Sequence, residues 1–183
     1  MILLPLVILT FAIPFMEDIN YRQVENEDLR AVKETAEIAW HFTYKDILEK
    51  EVLNHYLSTW YSLESLENQI DNIKHGKEFF YVATTNNGKI VGYCNIGSRE
   101  DGMELARLYL LPEYIGKGIG KKLLQLGEDF LKSKNITKYY CYVNKGNKIG
   151  IDFYKRNGFK NVSEKDLSNP EKQECQYYME KTI

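Results

Sequence analysis

The amino-acid sequence predicts one mixed α/β domain, and three features carry that reading. Apolar residues recur at helical spacing up to about residue 76 and give way to strand-like runs from residue 78. Asn87-Gly88 stands between two of those runs, the strongest short-range signal for a β-hairpin. After a third run, a glycine-rich segment at 116–120 leads directly into a new helical pattern. At 183 residues the chain is long enough for one well-packed domain and too short for two ordinary ones. With 44% hydrophobic and 27% charged residues, it is globular in composition and not disordered.

Residues 19–24 read as a first short strand. Asn26 is placed to cap a helix whose first turn holds the acidic Glu27 and Asp28. Leu29, Val32, Ala36, Ala39 and Trp40 then follow at helical spacing. A second helical region spans 50–74, with Leu53, Tyr56, Leu57, Trp60, Leu63 and Leu66 on its apolar side and Gly76 closing it. Strands follow at 78–85, 89–96 and 103–111, the last ended by Pro112. A helix at 118–134 turns Ile119, Leu123, Leu126 and Phe130 inward. A strand at 139–143, a helix at 147–157 and a strand at 158–162 come next. Residues 163–176 read as a polar loop before a closing strand at 177–181. No repeat or linker interrupts this order.

Composition removes several function classes. A formal net charge of −2 lacks the basic footprint of a nucleic-acid binder. Cys94, Cys141 and Cys175 share no close spacing, which excludes a disulfide framework and a CxxC zinc site. That usage fits a reducing, cytoplasmic setting, and His41, His55 and His75 form no metal-ligand pattern. Residues 1–15 are wholly apolar. The run is too short to span a bilayer and contains Pro5 and Pro14. No Lys or Arg precedes Tyr21, as a signal peptide would require. The stretch is therefore read as a start-site artefact or tail ahead of a domain spanning 16–183.

Residues 112–122, PEYIGKGIGKK, join a strand to a helix. Glycines let backbone N–H groups converge and let a ligand approach closely. The helix that follows adds its positive N-terminal pole, so the segment suits a pyrophosphate. Lys117, Lys121 and Lys122 add charge at the rim. A Walker A loop needs GxxxxGK[ST]; position 115 is Ile and Lys121 is followed by Lys122, which excludes it. A dinucleotide fingerprint needs GxGxxG, and here the third glycine falls one residue early. Taken alone, the loop is equally a ligand-free turn.

A second motif, NKIGIDFYKRNGF at 147–159, follows the next strand. The pair resembles the GNAT superfamily of acyl-CoA N-acyltransferases, which shows [RQ]xxGx[GA], a helix, a strand and then NxxAxxFYxxxGF. Gly118 and Gly120 match the first motif; Asn147, Phe153, Tyr154, Gly158 and Phe159 match the second in register. Ile115 stands where the family has Arg or Gln, and Gly150 replaces the usual Ala. Within the superfamily, 39–44 and 104–114 look most like the PaiA-like polyamine N-acetyltransferases. The resemblance implies a central, mostly antiparallel sheet of about seven strands with a splayed pair, flanked by about four helices. It implies acetyl-CoA as co-substrate, held by Leu108, Tyr109, Leu110, Gly116, Lys117, Gly118, Ile119, Gly120, Lys121, Asn147 and Tyr154.

Acetyl transfer from a thioester to an amine needs a neutral amine, a polarised carbonyl, a proton for the thiolate and a held co-substrate. Asn147 and Tyr154, seven residues apart, share a helix face. Asn147 can hydrogen-bond the pantetheine arm, and Tyr154 can reach the sulfur as general acid. Against that stands Phe153-Tyr154 as a plain packing pair. Relatives imply Glu104 as the base, eleven residues before the Arg/Gln slot; a solvated acid beside Glu100 and Asp101 is the equal alternative. They also imply that backbone N–H groups near Leu110 meet the oxyanion. No nucleophile set is evident and Cys141 sits in an apolar strand, so direct attack is the simpler route. The expected acceptor is a small-molecule primary amine, with no nucleic acid or membrane partner; a homodimer is left open. The subgroup implies a polyamine such as spermidine or spermine. Glu34, Glu37, Asp46, Glu49 and Glu51 either steer such a polycation or are merely solvated helix faces. The alternatives are a protein N-terminal or lysine acetyltransferase and a non-catalytic acyl-CoA-binding regulator.

Overall fold

A computed structural model describes residues 18–165 and 176–183. The expectations for residues 1–15, and for most of the polar loop after residue 165, lie outside the described residues. The elements run β1 (Ile19–Gln23), α1 (Leu29–Tyr44), α2 (Lys50–Trp60), α3 (Leu63–Lys74), β2 (Glu78–Thr85), β3 (Ile90–Arg99) and β4 (Gly102–Leu110). They continue α4 (Ile119–Ser133), β5 (Lys138–Asn144), α5 (Lys148–Arg156), β6 (Lys160–Lys165) and β7 (Gln176–Thr182). The strands form one sheet in the order β1-β2-β3-β4-β5-β7-β6. Every neighbouring pair is antiparallel except β4 with β5.

Both faces of the sheet are covered. Successive side chains of a strand point to opposite faces. Phe79, Cys94, Ile96 and Leu105 pack under α4 and α5 with Leu123, Leu131 and Ile151. Phe80, Val82 and Tyr93 pack on the other side under α1 to α3 with Val32, Ala36, Leu53 and Leu66. This is why β2 and β3 are apolar almost throughout and do not alternate.

Three expectations need correction. The predicted helix over 50–74 is two helices, so five flank the sheet and not four. Ser62 breaks it by capping α3, its Oγ accepting the Ser65 N–H at 3.1 Å. Apolar spacing runs on through Trp60, Leu63 and Leu66, so periodicity alone hides the break. Asn26 does not cap the first helix but opens a 3-10 turn, Asn26–Asp28, that leads into α1, and that turn is capped from Glu25: Glu25 and Asp28 form a capping box, with the Glu25 N–H on Asp28 Oδ2 at 2.8 Å. Arg22 grips the same carboxylate at 2.6 and 2.8 Å. The strand expected at 158–162 begins at Lys160 and runs to Lys165, taking three residues from the predicted loop.

Candidate active site

β4 and β5 meet at one register position, Glu104 opposite Tyr140. Beyond it they part, and a cavity of about 380 Å³ opens between them. The orientation of β4 follows from one bond: the Leu111 N–H donates to Val91 O at 2.9 Å across the β3 ladder. Backbone groups alternate sides along a strand. Tyr109 therefore faces β3 as Leu111 does, while Leu108 and Leu110 turn their N–H and C=O groups to the gap. Of the three expected backbone donors, Tyr109 is thus committed to the ladder; its side chain, not its amide, lies on the cavity wall.

Glycines form the outer rim. Gly116 and Gly118 have φ of +82° and +83°, a region that disfavours side chains, and no atom lies within 4 Å of where their Cβ would stand. The loop thus offers bare backbone toward the N-terminus of α4, whose first N–H groups lack intrahelical acceptors. Lys121 lines the cavity. Lys117 instead lies over the Tyr114 ring at 4.8 Å, and the Ile119 side chain is in the core. Ile115, in the Arg/Gln slot, is 39% exposed and lines the cavity with Ile149.

α5 closes the opposite side. Asn147 caps it, Oδ1 accepting the Gly150 N–H at 2.9 Å, while Nδ2 donates to Tyr44 Oη at 3.4 Å. A Cβ at Gly150 would lie 2.8 Å from Asn147 Nδ2, so glycine admits the folded-back carboxamide. Tyr154, 9% exposed, packs between Phe153 and Phe159 yet still lines the cavity. Among the described residues its hydroxyl has no hydrogen-bond partner. Burial first, then Cys141, Tyr44 and Cys94, raises its pKa well above the ordinary tyrosine value, so the proton is held. Burial also raises the Cys141 thiol, which leaves it a packed, protonated side chain.

A second cavity of about 310 Å³ lies across β4 under α1 and α2. Tyr44, Ala106, Tyr109 and Tyr142 line both cavities, so the two share a wall. Trp40, Tyr56 and Trp60 supply rings: Tyr56 and Trp60 are stacked at 4.3 Å, and Trp40 meets Trp60 edge-on at 5.7 Å. Glu104 lines this cavity and not the first, ion-paired to Arg99 at 3.2 Å. Arg107 completes it, its guanidinium 4.8 Å from the Tyr61 ring centre and bonded to Trp60 O and Gln69. Sequence reasoning missed Arg99 and this aromatic wall; the spacings 40/44 and 56/60 were its visible trace. Glu34, Glu37, Asp46, Glu49 and Glu51 are all exposed and line neither cavity. Among the described residues no His, Cys, Asp and Glu cluster could hold a metal ion, and no helix is long and apolar enough to cross a membrane.

Residues 40–159 match the acetyltransferase (GNAT) family. The chain belongs to that family. It is similar to spermidine N(1)-acetyltransferase of Thermoplasma acidophilum, 34% identical over 142 residues, 78% of this chain and 88% of that protein. Its fold is similar to a crystal structure of PaiA N-acetyltransferase from Thermoplasma acidophilum in complex with coenzyme A, with a TM-score of 0.81 and 33% identity, covering 91% of this chain and 99% of that one. A GNAT-family acetyltransferase from Staphylococcus aureus, 19% identical, shares the fold at a TM-score of 0.71 over 90% of this chain and 99% of that one. The protein is an N-acetyltransferase, and its acetyl donor is acetyl-CoA. The chain's own features fit that donor: unobstructed glycine backbone for a pyrophosphate, an apolar cleft for the arm, and unpaired strand backbone beside it.

Proposed function

We propose that this acetyltransferase acts on a primary amine of polyamine type, such as spermidine, by direct attack. The observation that carries the proposal is the shared wall at Tyr44 and Tyr109, with a backbone-lined cavity on one side and an aromatic cavity holding Glu104 on the other. Acetyl-CoA supplies the thioester whose C–S bond breaks as the amine nitrogen forms its bond to the acetyl carbon. The N–H groups from Gly116 to Lys121 hold the pyrophosphate, Lys121 adds charge, and Asn147 flanks the arm. The N–H groups of Leu108 and Leu110 face the arm and the thioester oxygen as its charge grows. Glu104 takes the proton that the amine gives up, and Tyr154 gives its own to the leaving sulfur.

The aromatic wall supports an acceptor with an alkylammonium tail, because ring faces attract cations that have lost part of their water. The relation to a protein named spermidine N(1)-acetyltransferase supports the same class. Steady-state kinetics on spermidine, a dipeptide amide and a lysine-containing peptide test it. Spermidine is expected to lead in kcat/KM by at least an order of magnitude. A better rate on either peptide would move the acceptor to protein amines; no amine-dependent thiol release at all would point to an acyl-CoA-binding regulator.

A further inference from the structure

Glu78, Gly97 and Glu104 stand side by side on β2, β3 and β4, so all three project from one face of the sheet. The middle position has no side chain. Arg99, two residues along β3 and therefore on the same face, lays its guanidinium over that vacancy. Its Nη1 lies 3.4 Å from Glu78 Oε1 and its Nε lies 3.2 Å from Glu104 Oε2. A Cβ at Gly97 would fall 2.8 Å from Arg99 Nη1 and 2.9 Å from Glu78 Cδ, so glycine is what leaves room for the bridge. Glu78 is the fixed end: its side chain is 5% exposed, and it accepts from Asn95 Nδ2 at 2.9 Å and Asn72 Nδ2 at 3.3 Å. Glu104 is the end that borders the aromatic cavity.

We propose that Arg99 is a positioning residue for Glu104, holding that carboxylate ionised at the acceptor cavity, and that Glu78 anchors Arg99 there when a cationic acceptor competes for Glu104. The proposal rests on the reading of Glu104 as the base. A guanidinium against a carboxylate favours its charged form. A carboxylate that had only an incoming ammonium as partner would lose its counter-ion whenever the cavity is empty. With Glu78 buried behind it, the guanidinium stays in place whether or not the amine is present, because releasing Glu78 would strand a buried charge. The other groups around Glu104 are Tyr140, Cys141 and Tyr142 on β5 and Arg107 on β4, and Asp101 in the β3–β4 turn acts on Tyr140 as Glu104 does. Tyr44, Tyr56, Tyr61 and Tyr109 face it across the cavity. Tyr140 is pushed up to about 12 by burial and by Glu104, and the Cys141 thiol rises for the same two reasons. Both are neutral below pH 9, so they do not titrate with the base.

The pH profile of kcat/KM for spermidine acetylation tests this on the full chain. Arg99→Lys, which keeps the charge, is expected to leave the acid limb within a few tenths of a unit of wild type. The double variant Glu78→Gln, Arg99→Gln removes both charges together and strands neither. Its acid limb is expected to move up by about one pH unit, the size of one close ion pair. A limb that stays at its wild-type position in the folded double variant overturns the inference. Should that variant fail to fold, Gly97→Ala displaces the guanidinium with a methyl group; it should shift the limb in the same direction, and an unmoved limb overturns the inference equally. Glu104→Gln separates the two readings. Full activity with the acid limb intact in Glu104→Gln overturns the base assignment itself, and this inference with it. Loss of rate and limb in Glu104→Gln, with an unmoved limb in the other variants, overturns only the role of Arg99.

Discussion

The hydroxyls of Tyr44 and Tyr109 meet at 3.2 Å, one from α1 and one from β4, on the wall between the two cavities. Asn147 Nδ2 reaches the Tyr44 hydroxyl at 3.4 Å, so the cap of α5 is tied through Tyr44 to the wall of the aromatic cavity. Tyr109 cannot easily ionise: burial and the neighbouring Tyr44 hold its pKa well above 10. Tyr44→Phe takes away the shared partner and leaves the buried Tyr109 hydroxyl to find another. The expected stability loss is ~1–3 kcal/mol, the range for stranding a buried polar group, read by urea unfolding. An unchanged midpoint would show that this hydroxyl pair is incidental.

Gly118 sits at φ +83° with open space in front of it. Gly118→Asp places a strained residue and a negative charge where the pyrophosphate is proposed to lie. Acetyl-CoA affinity by calorimetry should drop at least tenfold, which is ~1.4 kcal/mol. A folded variant with wild-type affinity would remove the glycine loop from the binding site.

Tyr154 keeps its proton because burial penalises the tyrosinate. Tyr154→Phe preserves the ring contacts with Phe153 and Phe159 and removes only the hydroxyl. The turnover rate should fall on the order of 10²-fold with acetyl-CoA binding near wild type. The raised pKa sets a sign as well. The protonated form persists past pH 10, so Tyr154 should produce no alkaline decline in kcat below that pH. Full activity in the phenylalanine variant would return this residue to a packing role.

Much of the sheet was legible in the sequence because hairpins announce themselves locally. Asn87-Gly88 between two apolar, β-branched runs marked the β2–β3 hairpin, and Gly88 does adopt φ +84°. Gly118, Gly120, Asn147 and Tyr154, the residues that the two motifs single out, line one cavity with Gly116. Arg99 was not found, because its importance lies in the row Glu78–Gly97–Glu104, and no local pattern says which strand lies beside which. Tyr109 was misread for a related reason: which side of β4 is open depends on its pairing with β3.

Gly150 shows where a local rule points the wrong way. Helix propensity alone favours Ala there by up to ~1 kcal/mol. The structure sets against that a methyl group 2.8 Å from Asn147 Nδ2, at the residue whose carboxamide caps α5. Loss of a cap costs a similar ~1 kcal/mol, so Gly150→Ala is expected to bring no gain in thermal midpoint. A clear rise would mean that the carboxamide moves aside freely and that the cap carries little.

The aromatic cavity makes the most specific claim on the acceptor. The acids that sequence reading set against a polycation are exposed and line neither cavity, so none of them touches an acceptor seated there. Ring faces remain, and one of them already holds a cation, since Arg107 lies over Tyr61 at 4.8 Å. Trp60 is stacked on Tyr56 and is the partly exposed member of that pair. Its carbonyl, which takes Arg107, survives any side-chain change. Trp60→Leu therefore removes a ring face while sparing the backbone contact. A cation–π contribution of ~1–2 kcal/mol predicts a loss of roughly tenfold in kcat/KM for spermidine. Trp60→Phe should recover part of it, and a simple alkylamine without a second ammonium should lose little in either variant. Because the attraction is short-ranged and partly desolvated, KM for spermidine should rise only weakly with added salt. An equal loss for charged and uncharged tails would reduce the wall to shape alone. A steep salt dependence would return the acceptor's recognition to surface acids.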